Sequence, residues 1–280
     1  MYILANNAAI SPSDRAFNYG DGVFTTMHVV GRQVRLLDYH LRRVNHDAQA
    51  LGIALNCVEL ATAINQFVAG HGSEQYVLKV HVCAGEGGRG YARDPKKPSL
   101  VRFSVHDYPV HYANVKQRGA KLICADTRLA IQPALAGIKH MNRLEQVLIK
   151  QEVINRDADD ALVFDTNNHV IEASAGNVFF HNGVHWCTPE LGGCGVNGVV
   201  RQYLLDAANK AEKPIEQGSY TIEDIASAHA LVITNALMGV MPVTIIHLGD
   251  AGQLSFNGTD GQWLDSLLLK KYQEENANFT

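Results

Sequence analysis

A lysine beside a predicted helix is the residue of this sequence best suited to covalent chemistry. Lys139 lies in the stretch GIKHMNRLEQVL, where Asn142 and Glu145 have the spacing of a capping box. The apolar neighbours Ile138 and Met141 favour an amine drawn into an apolar site. Loss of solvent lowers the pKa of an amine and makes it nucleophilic, as a Schiff base requires. The alternative is a lysine that ends a strand in solvent.

A carboxylate and a glycine-rich loop are the next candidates. Glu172 closes a predicted strand in VIEASAGN and is followed by small residues. Such a carboxylate is suited to lie beneath a pyridine ring and keep its nitrogen protonated, which makes the ring an electron sink. The loop GVNG, residues 195–198, precedes a predicted helix, where free backbone N–H groups form an anion site. The alternatives are an exposed strand end and an ordinary helix start.

Other patterns are set aside. GEGGRG at 85–90 fits a dinucleotide fingerprint, but Pro95 and Pro98 follow where that site needs a helix. We interpret the segment as a flexible glycine loop that can present Arg89 as a substrate clamp. His181 and His185 flank a turn and have no cysteine or carboxylate partner at zinc spacing, so no metal site is expected. The nucleophile elbow Gly-x-Ser-x-Gly is absent.

Composition limits the class of protein. The chain has 280 residues, 46% hydrophobic and 19% charged, which favours a folded protein of one large or two smaller domains. A net charge of −4 excludes a general attraction to nucleic acid or to an anionic membrane. The 5 cysteines include no CxxC pair, so we expect buried, reduced thiols in a cytoplasmic protein. The N-terminal stretch lacks the features of a signal peptide.

Hydrophobic periodicity predicts short strands mixed with helices, as in α+β and α/β proteins. The polar segment 107–119 loses this periodicity, so we expect one domain over 1–106, a connection over 107–119 and a second domain over 120–280. Strands are expected at 23–30, 76–83, 100–105, 120–125, 161–165, 170–172, 178–181, 185–187 and, as a buried pair, within 230–246. Helices are expected at 37–51, 58–68, 143–155 and 199–211, with an amphipathic helix around Trp263, Leu267 and Tyr272.

A series of short stretches resembles one enzyme family. In order, they are SDRAFNYGDGVF, HLRRV, GGRGY, GIKHMNRLEQVL, IEASAGNVFF, GVNGVVRQ and NALMGVMP. From Ser13 to Pro242, this order is similar to that of the fold-type IV pyridoxal-phosphate enzymes, the class IV aminotransferase family. The resemblance implies bound pyridoxal 5'-phosphate between a small α+β N-terminal domain and a larger barrel-like C-terminal domain. It also implies a homodimer in which the partner helps to close the site.

The resemblance also assigns roles to residues of this sequence. Lys139 would hold the cofactor through its amine and then shuttle a proton, and Glu172 would pair with the pyridinium nitrogen. The cofactor phosphate would be bound by one side chain and several backbone amides, which belong to Arg43, Val199, Val200, Ala236 and Leu237. The substrate would meet Arg89, which suits a carboxylate, and the pocket-lining residues Phe24, Thr26 and Asn235.

Two stretches, LAGIKHMNRLEQVLIK and NALMGVMPV, resemble the aminodeoxychorismate lyases within this family. Branched-chain aminotransferases tend to carry a tyrosine where this chain has Arg143, and aminotransferases often show a Gly-Thr-rich turn where it has residues 235–238. The resemblance implies conversion of 4-amino-4-deoxychorismate to 4-aminobenzoate and pyruvate in folate synthesis. A D-amino acid or branched-chain aminotransferase is the alternative. A binding protein without catalysis is disfavoured because Lys139 and Glu172 are retained together.

Overall fold

The fold was analysed in a computed structural model that describes residues 2–4, 9–258 and 261–277. The chain divides into two compact units. The first unit contains the residues up to Tyr108 together with Ile138–Asn142, and the second contains Pro109–Gly137 and the residues from Arg143 onward. The predicted domain boundaries at 106 and 120 stay a prediction.

The first unit is a five-stranded sheet with helices, in the strand order β1-β5-β4-β2-β3. Strand β1 runs parallel to β5, and the other neighbours are antiparallel. Its strands are β1 (Tyr2–Leu4), β2 (Gly22–Val30), β3 (Gln33–Val34), β4 (Gln75–Cys83) and β5 (Leu100–His106). Its helices are α1 (Arg15–Tyr19), α2 (Leu37–Ala50) and α3 (Cys57–Gly70).

Alternation along β2 gives the sheet of the first unit two different faces. Val23, Thr25, Met27 and Val29 are buried, whereas the residues between them are half-buried. The apolar members of the buried face join one core with the apolar stripes of α2 and α3. The opposite face carries half-buried polar and aromatic side chains, including Phe24, Thr26 and His28, which could contact a ligand.

The second unit is a nine-stranded mixed sheet with the path β11-β10-β9-β12-β13-β6-β7-β8, where β14 pairs with β13. Its strands are β6 (Ala120–Cys124), β7 (Asp160–Phe164), β8 (Val170–Ala173), β9 (Asn177–His181), β10 (Trp186–Pro189), β11 (Glu216–Gly218), β12 (Ala230–Asn235), β13 (Gly239–His247) and β14 (Gln253–Ser255). Its helices are α4 (His111–Arg118), α5 (Leu144–Asn155), α6 (Val199–Lys210), α7 (Ile222–Ala226) and α8 (Gln262–Ala277).

The predicted strands and helices are present, with ends that differ by a few residues. Helix α4 lies inside the segment predicted to be a connection, and the short elements α1, β3, β11, α7 and β14 were not predicted. In α8 the buried residues are Leu264 and Leu268, one position after the predicted Trp263 and Leu267. No helix follows the glycines at 85–90 before β5, as predicted. None of the helices in the described part of the chain has the length and apolar character to cross a membrane.

The core of the first unit predicts a contrast between two positions of α3. Leu60 is fully buried, whereas Val58 is 78% exposed. Leu60→Ala leaves a cavity and should lower the free energy of unfolding by about 2–5 kcal/mol. Val58→Ala should change it by less than about 0.5 kcal/mol. Urea unfolding measures both, and equal effects would contradict this core assignment.

The polar face of the sheet predicts a loss of stability in acid. The pKa of His81 is lowered from 6.5 to about 4, mainly by burial and further by Lys79, His106 and Arg102. Because this folded-state pKa lies below the unfolded value, the unfolded chain binds more protons between pH 6.5 and about 4. The free energy of unfolding should therefore fall as the pH drops through that window. His81→Gln should make the fall less steep in urea titrations, and an unchanged slope would contradict the shift.

Candidate active site

The backbone of the Lys139 segment is paired with the beginning of β2. The N–H of Phe24 donates to the Lys139 carbonyl oxygen at 3.0 Å, and the N–H of Met141 donates to that of Gly22 at 2.9 Å. On the other side, the Lys139 N–H donates to Asp47 Oδ2 of α2 at 3.0 Å. The backbone of Lys139 is therefore held between strand β2 and helix α2.

The Lys139 amine lies on the polar face of the first sheet. Its Nζ is 4.6 Å from the centre of the Phe24 ring, and Lys79 Nζ lies 4.7 Å from the same centre. Thr26 is paired with Lys79 across β2 and β4, and His81 stacks on Phe24. The structure thus places Lys139 beside the predicted pocket residue Phe24, and Thr26 on the same face opposite Lys79.

Lys79 was not predicted as a site residue. Burial lowers the pKa of its amine. The signal was present in the sequence, because a single lysine interrupts the apolar strand YVLKVHVC at a position that alternation assigns to the polar face. Two amines at one aromatic ring make this face attractive to an anionic substrate.

Arg43 lies on α2 and reaches the buried face of β2. Its Nη2 donates to Thr25 Oγ1 at 2.7 Å, and the same oxygen lies 2.6 Å from His40 Nδ1. Thr25 and His40 are both fully buried. Neither residue was predicted to contribute to the site, although His40 belongs to the quoted stretch HLRRV.

Arg89 is exposed on the glycine loop, and another arginine organises that loop. The guanidinium of Arg15, which is 3% exposed, donates to the carbonyl oxygens of residues 87, 90, 91 and 92. Its Nε donates to Asp21 at 2.7 Å. A Cβ at Gly88 would lie 2.1 Å from the Ala92 oxygen, so the close approach requires glycine. The loop that presents Arg89 is therefore folded around a buried cation.

Glu172 is buried in β8 of the second unit, at 5% exposure. Its Oε2 accepts a hydrogen bond from the Val196 N–H at 2.8 Å. Gly195, at φ +84°, has no room for a side chain, since a Cβ would lie 2.7 Å from Ile171 Cγ2. Gly137, two positions before Lys139 in the sequence, exchanges backbone hydrogen bonds with Gly195 and Asn197. The loop before α6 is thus fixed against the predicted carboxylate.

The N-terminus of α6 presents backbone donors. Its N-cap is Gly198, so no side chain caps the helix. A Cβ there would lie 2.1 Å from Oδ1 of Asn177, which accepts the Gly198 N–H at 3.1 Å. Val199 and Val200 follow in the first helical turn, where N–H groups have no partner within the helix. These amides and the helix dipole suit a phosphate group.

The turn after β12 is held by its own side chain. Asn235 Oδ1 accepts the N–H groups of Leu237 and Met238, each at 2.8 Å, and its Nδ2 donates to the Ala175 oxygen at 3.0 Å. Ala236 lies within this turn. Asn235 therefore has a structural task besides its predicted substrate contact, which stays a prediction. The preceding Thr234 is 1% exposed, and its hydroxyl has no hydrogen-bond partner among the described residues.

The donor set fits pyridoxal 5'-phosphate. In the first unit, a lysine amine suits its aldehyde and an arginine suits its phosphate. In the second unit, a buried carboxylate suits its ring nitrogen and uncapped backbone N–H groups suit a phosphate. The glycine at the N-cap is compatible with this fit, because it leaves the first turn of α6 without a side-chain cap while Asn177 packs against its backbone. Among the described residues, no group of His, Cys, Asp or Glu side chains is arranged to hold a metal ion.

Comparison with known proteins gives a consistent result. The profile of the family described as amino-transferase class IV matches residues 22–246. An aminodeoxychorismate lyase of Vibrio harveyi is 33% identical over 232 residues, which cover 82% of this chain and 85% of that protein. The crystal structure of 4-amino-4-deoxychorismate lyase from Pseudomonas aeruginosa is 31% identical, with a TM-score of 0.85 over 95% of both chains.

A third comparison concerns the fold and the cofactor of the family. A hypothetical aminotransferase from Mycobacterium tuberculosis, in its PLP-bound form, has a TM-score of 0.78 at 17% identity and covers 95% of this chain and 94% of that one. The predicted fold class is confirmed, with a small, largely antiparallel sheet and a larger curled mixed sheet. Family members bind pyridoxal phosphate. The chain belongs to the class IV aminotransferase family of fold-type IV pyridoxal-phosphate enzymes.

Proposed function

We propose that this chain is a pyridoxal-phosphate-dependent lyase that converts 4-amino-4-deoxychorismate to 4-aminobenzoate and pyruvate. The observation that carries the proposal is the similarity, at 33% and 31% identity over most of both chains, to two proteins named as this lyase. Arg143 in place of a tyrosine after the lysine stretch adds to it, as does the turn NALM in place of a Gly-Thr-rich turn.

Each residue proposed to hold the cofactor is suited to one of its chemical groups. Lys139 would form the covalent link, and the Glu172 carboxylate would pair with the ring nitrogen. The phosphate would be held by Arg43 and by the backbone of two turns, whose residues are Val199, Val200, Ala236 and Leu237. When bound, the cofactor supplies an electron sink that stabilises negative charge on the substrate carbon next to nitrogen.

The reaction needs one residue that takes a proton and gives it back. Lys139, with its amine free, would remove the proton from the carbon that bears nitrogen. The C–O bond between the neighbouring substrate carbon and the enolpyruvyl group then breaks, and the substrate's six-membered ring becomes aromatic. A proton delivered from Lys139 to the departing enolpyruvate gives pyruvate. Atoms balance without a second substrate, so no keto acid is consumed.

The substrate carries two carboxylates, and the first unit offers cations for them. Lys79 lies on the face that carries Phe24 and Thr26, 4.7 Å from the Phe24 ring centre. Arg89 lies on the loop that Arg15 orders. Asn235 is the proposed polar contact from the second unit. A planar guanidinium suits bidentate recognition of a carboxylate, whereas the lysine acts as a point charge.

The second candidate is a D-amino acid or branched-chain aminotransferase. It is favoured by the description of the matching family, which is named for amino-group transfer. That reaction would require a keto acid to accept the amino group. The requirement for an acceptor therefore separates the two functions.

Two properties of the whole protein are proposed with this function. We propose a homodimer in the cytoplasm. The described cysteines are free, which is compatible with a reducing compartment.

Helix α5 exposes Leu144, Val147 and Leu148, an apolar stripe that a second subunit would cover.

The activity prediction separates lyase from aminotransferase. The protein with pyridoxal phosphate and aminodeoxychorismate, and with no keto acid, should form 4-aminobenzoate and pyruvate in equal amounts over many turnovers. Lys139→Ala should form neither, because the proton carrier is removed. Chromatography and a coupled pyruvate assay measure the products. Amino-group exchange that appears only after a keto acid is added would contradict the lyase and support the aminotransferase.

The carboxylate prediction concerns Glu172. In Glu172→Gln the amide oxygen can still accept the Val196 N–H, but no negative charge remains to hold a proton on the ring nitrogen. The kcat should fall by about 100-fold or more, while the folded protein still binds the cofactor. Glu190→Gln, at an exposed position of the same unit, is the control. A kcat within about threefold of the parent for Glu172→Gln would contradict the assigned role.

A further inference from the structure

In the first unit, the proposed phosphate-binding Arg43 belongs to a polar triad with Thr25 and His40. Thr25 projects from β2 into the buried face, where its Oγ1 lies 2.7 Å from Arg43 Nη2 and 2.6 Å from His40 Nδ1. Thr25 and His40 are each 0% exposed. Both helix residues come from α2, three positions apart, so they lie on one face of that helix.

The direction of the hydrogen bonds follows from the donor inventory. A guanidinium only donates, so the Thr25 oxygen accepts from Arg43. The Thr25 hydroxyl proton is then satisfied if it is donated to His40 Nδ1, which must be unprotonated. His40 Nε2 is buried and has no hydrogen-bond partner among the described residues, so this arrangement leaves one N–H unpaired. The reverse arrangement, with Nδ1 as the donor, would leave both Nε2 and the Thr25 proton unpaired in a buried site. The triad therefore favours neutral His40 with its proton on Nε2.

The charges around His40 support this neutral form. Burial lowers its pKa well below 6.5, and the positive charges of Arg43 and Lys139 lower it further. A neutral histidine adds no positive charge that would repel the Arg43 guanidinium. The ring thus serves as an acceptor at a fixed place rather than as a second cation.

We propose that Thr25 and His40 are positioning residues that fix the Arg43 guanidinium for the cofactor phosphate. One Nη–H is anchored by Thr25, whose β-branched side chain has few rotamers, and Thr25 is in turn anchored by His40. An arginine with one edge anchored loses less conformational entropy when it binds an anion. This inference rests on the proposed cofactor role of Arg43.

The residue after Thr25 is also a threonine, but it faces the other way. Thr26 lies on the opposite face of β2, which is the face expected to line the substrate pocket. The two threonines of the stretch VFTTM would thus act on different partners, Thr25 on the cofactor phosphate through Arg43 and Thr26 on the substrate.

The test compares binding of pyridoxal phosphate with binding of pyridoxal, which lacks the phosphate. Thr25→Val keeps the shape of the side chain and removes the hydroxyl. Thr25→Val should weaken the binding of pyridoxal phosphate by about 10- to 100-fold and change the affinity for pyridoxal by less than about threefold. Thr25→Ser should restore most of the difference. Dissociation constants from absorbance titration of the whole protein give the ratio.

A matched control removes another buried hydroxyl. Thr188 is 0% exposed in the second unit and donates to the Val178 oxygen at 2.7 Å. Thr188→Val should lower stability without changing the ratio of the two affinities. If Thr25→Val weakens both ligands equally, or neither, the positioning role is wrong.

The protonation state of His40 can be measured in the parent protein, whether or not Thr25→Val folds. Nitrogen-15 spectra of labelled histidine should show His40 as the neutral Nε2–H form at pH 6. A protonated ring or the Nδ1–H form would overturn the triad. Parent protein that binds neither ligand would refute the proposed cofactor, whereas normal binding with an unchanged ratio in Thr25→Val would refute this inference alone.

Discussion

The interaction on which the site depends is the pairing of the Lys139 backbone with β2. The Lys139 carbonyl accepts from the Phe24 N–H, and its own N–H donates to the Asp47 carboxylate. A residue held on both sides of its backbone has a fixed Cα, so only its side chain moves. The proposed role of Lys139 is to bind and release the cofactor and to take up and return a proton. This role needs a fixed Cα and a mobile amine.

Side chains of β2 point alternately to the two faces of the sheet, so one strand contributes residues to both faces. On the buried face, Thr25 meets Arg43 and His40 within the core. On the other face, Phe24 lies beside the Lys139 and Lys79 amines. A slip of one residue would exchange the two sets, so the register of β2 against β4 is a functional constraint as well as a structural one.

In the second unit the backbone, rather than side chains, forms much of the proposed site. Gly195 and Gly198 permit the close approach of the loop to Ile171 and Asn177. The Val196 N–H meets Glu172, and the first turn of α6 remains uncapped. Backbone donors held in this way need no reorganisation when an anion binds.

The sequence was informative where chemistry and periodicity are local. Lys139, Glu172 and the loop before α6 lie in short stretches with their own signals, and the β-branched residues of β2, followed by a turn, placed that strand correctly. The buried partners were missed because they depend on contacts between distant segments. His40 meets Thr25 only after α2 packs on β2, and Arg15 meets the glycine loop across more than 70 positions. Helix α4 was missed because its polar surface leaves only Val115 buried.

The most direct test of this account is chemical labelling of the lysine. The protein incubated with pyridoxal phosphate, reduced with borohydride to make the link permanent and digested, should carry the label on the peptide that contains Lys139. Peptide mass spectrometry reads the position. A label confined to Lys139 is the predicted result. A label on Lys79 instead, or spread over surface lysines, would contradict the assignment of Lys139 and with it the proposed chemistry.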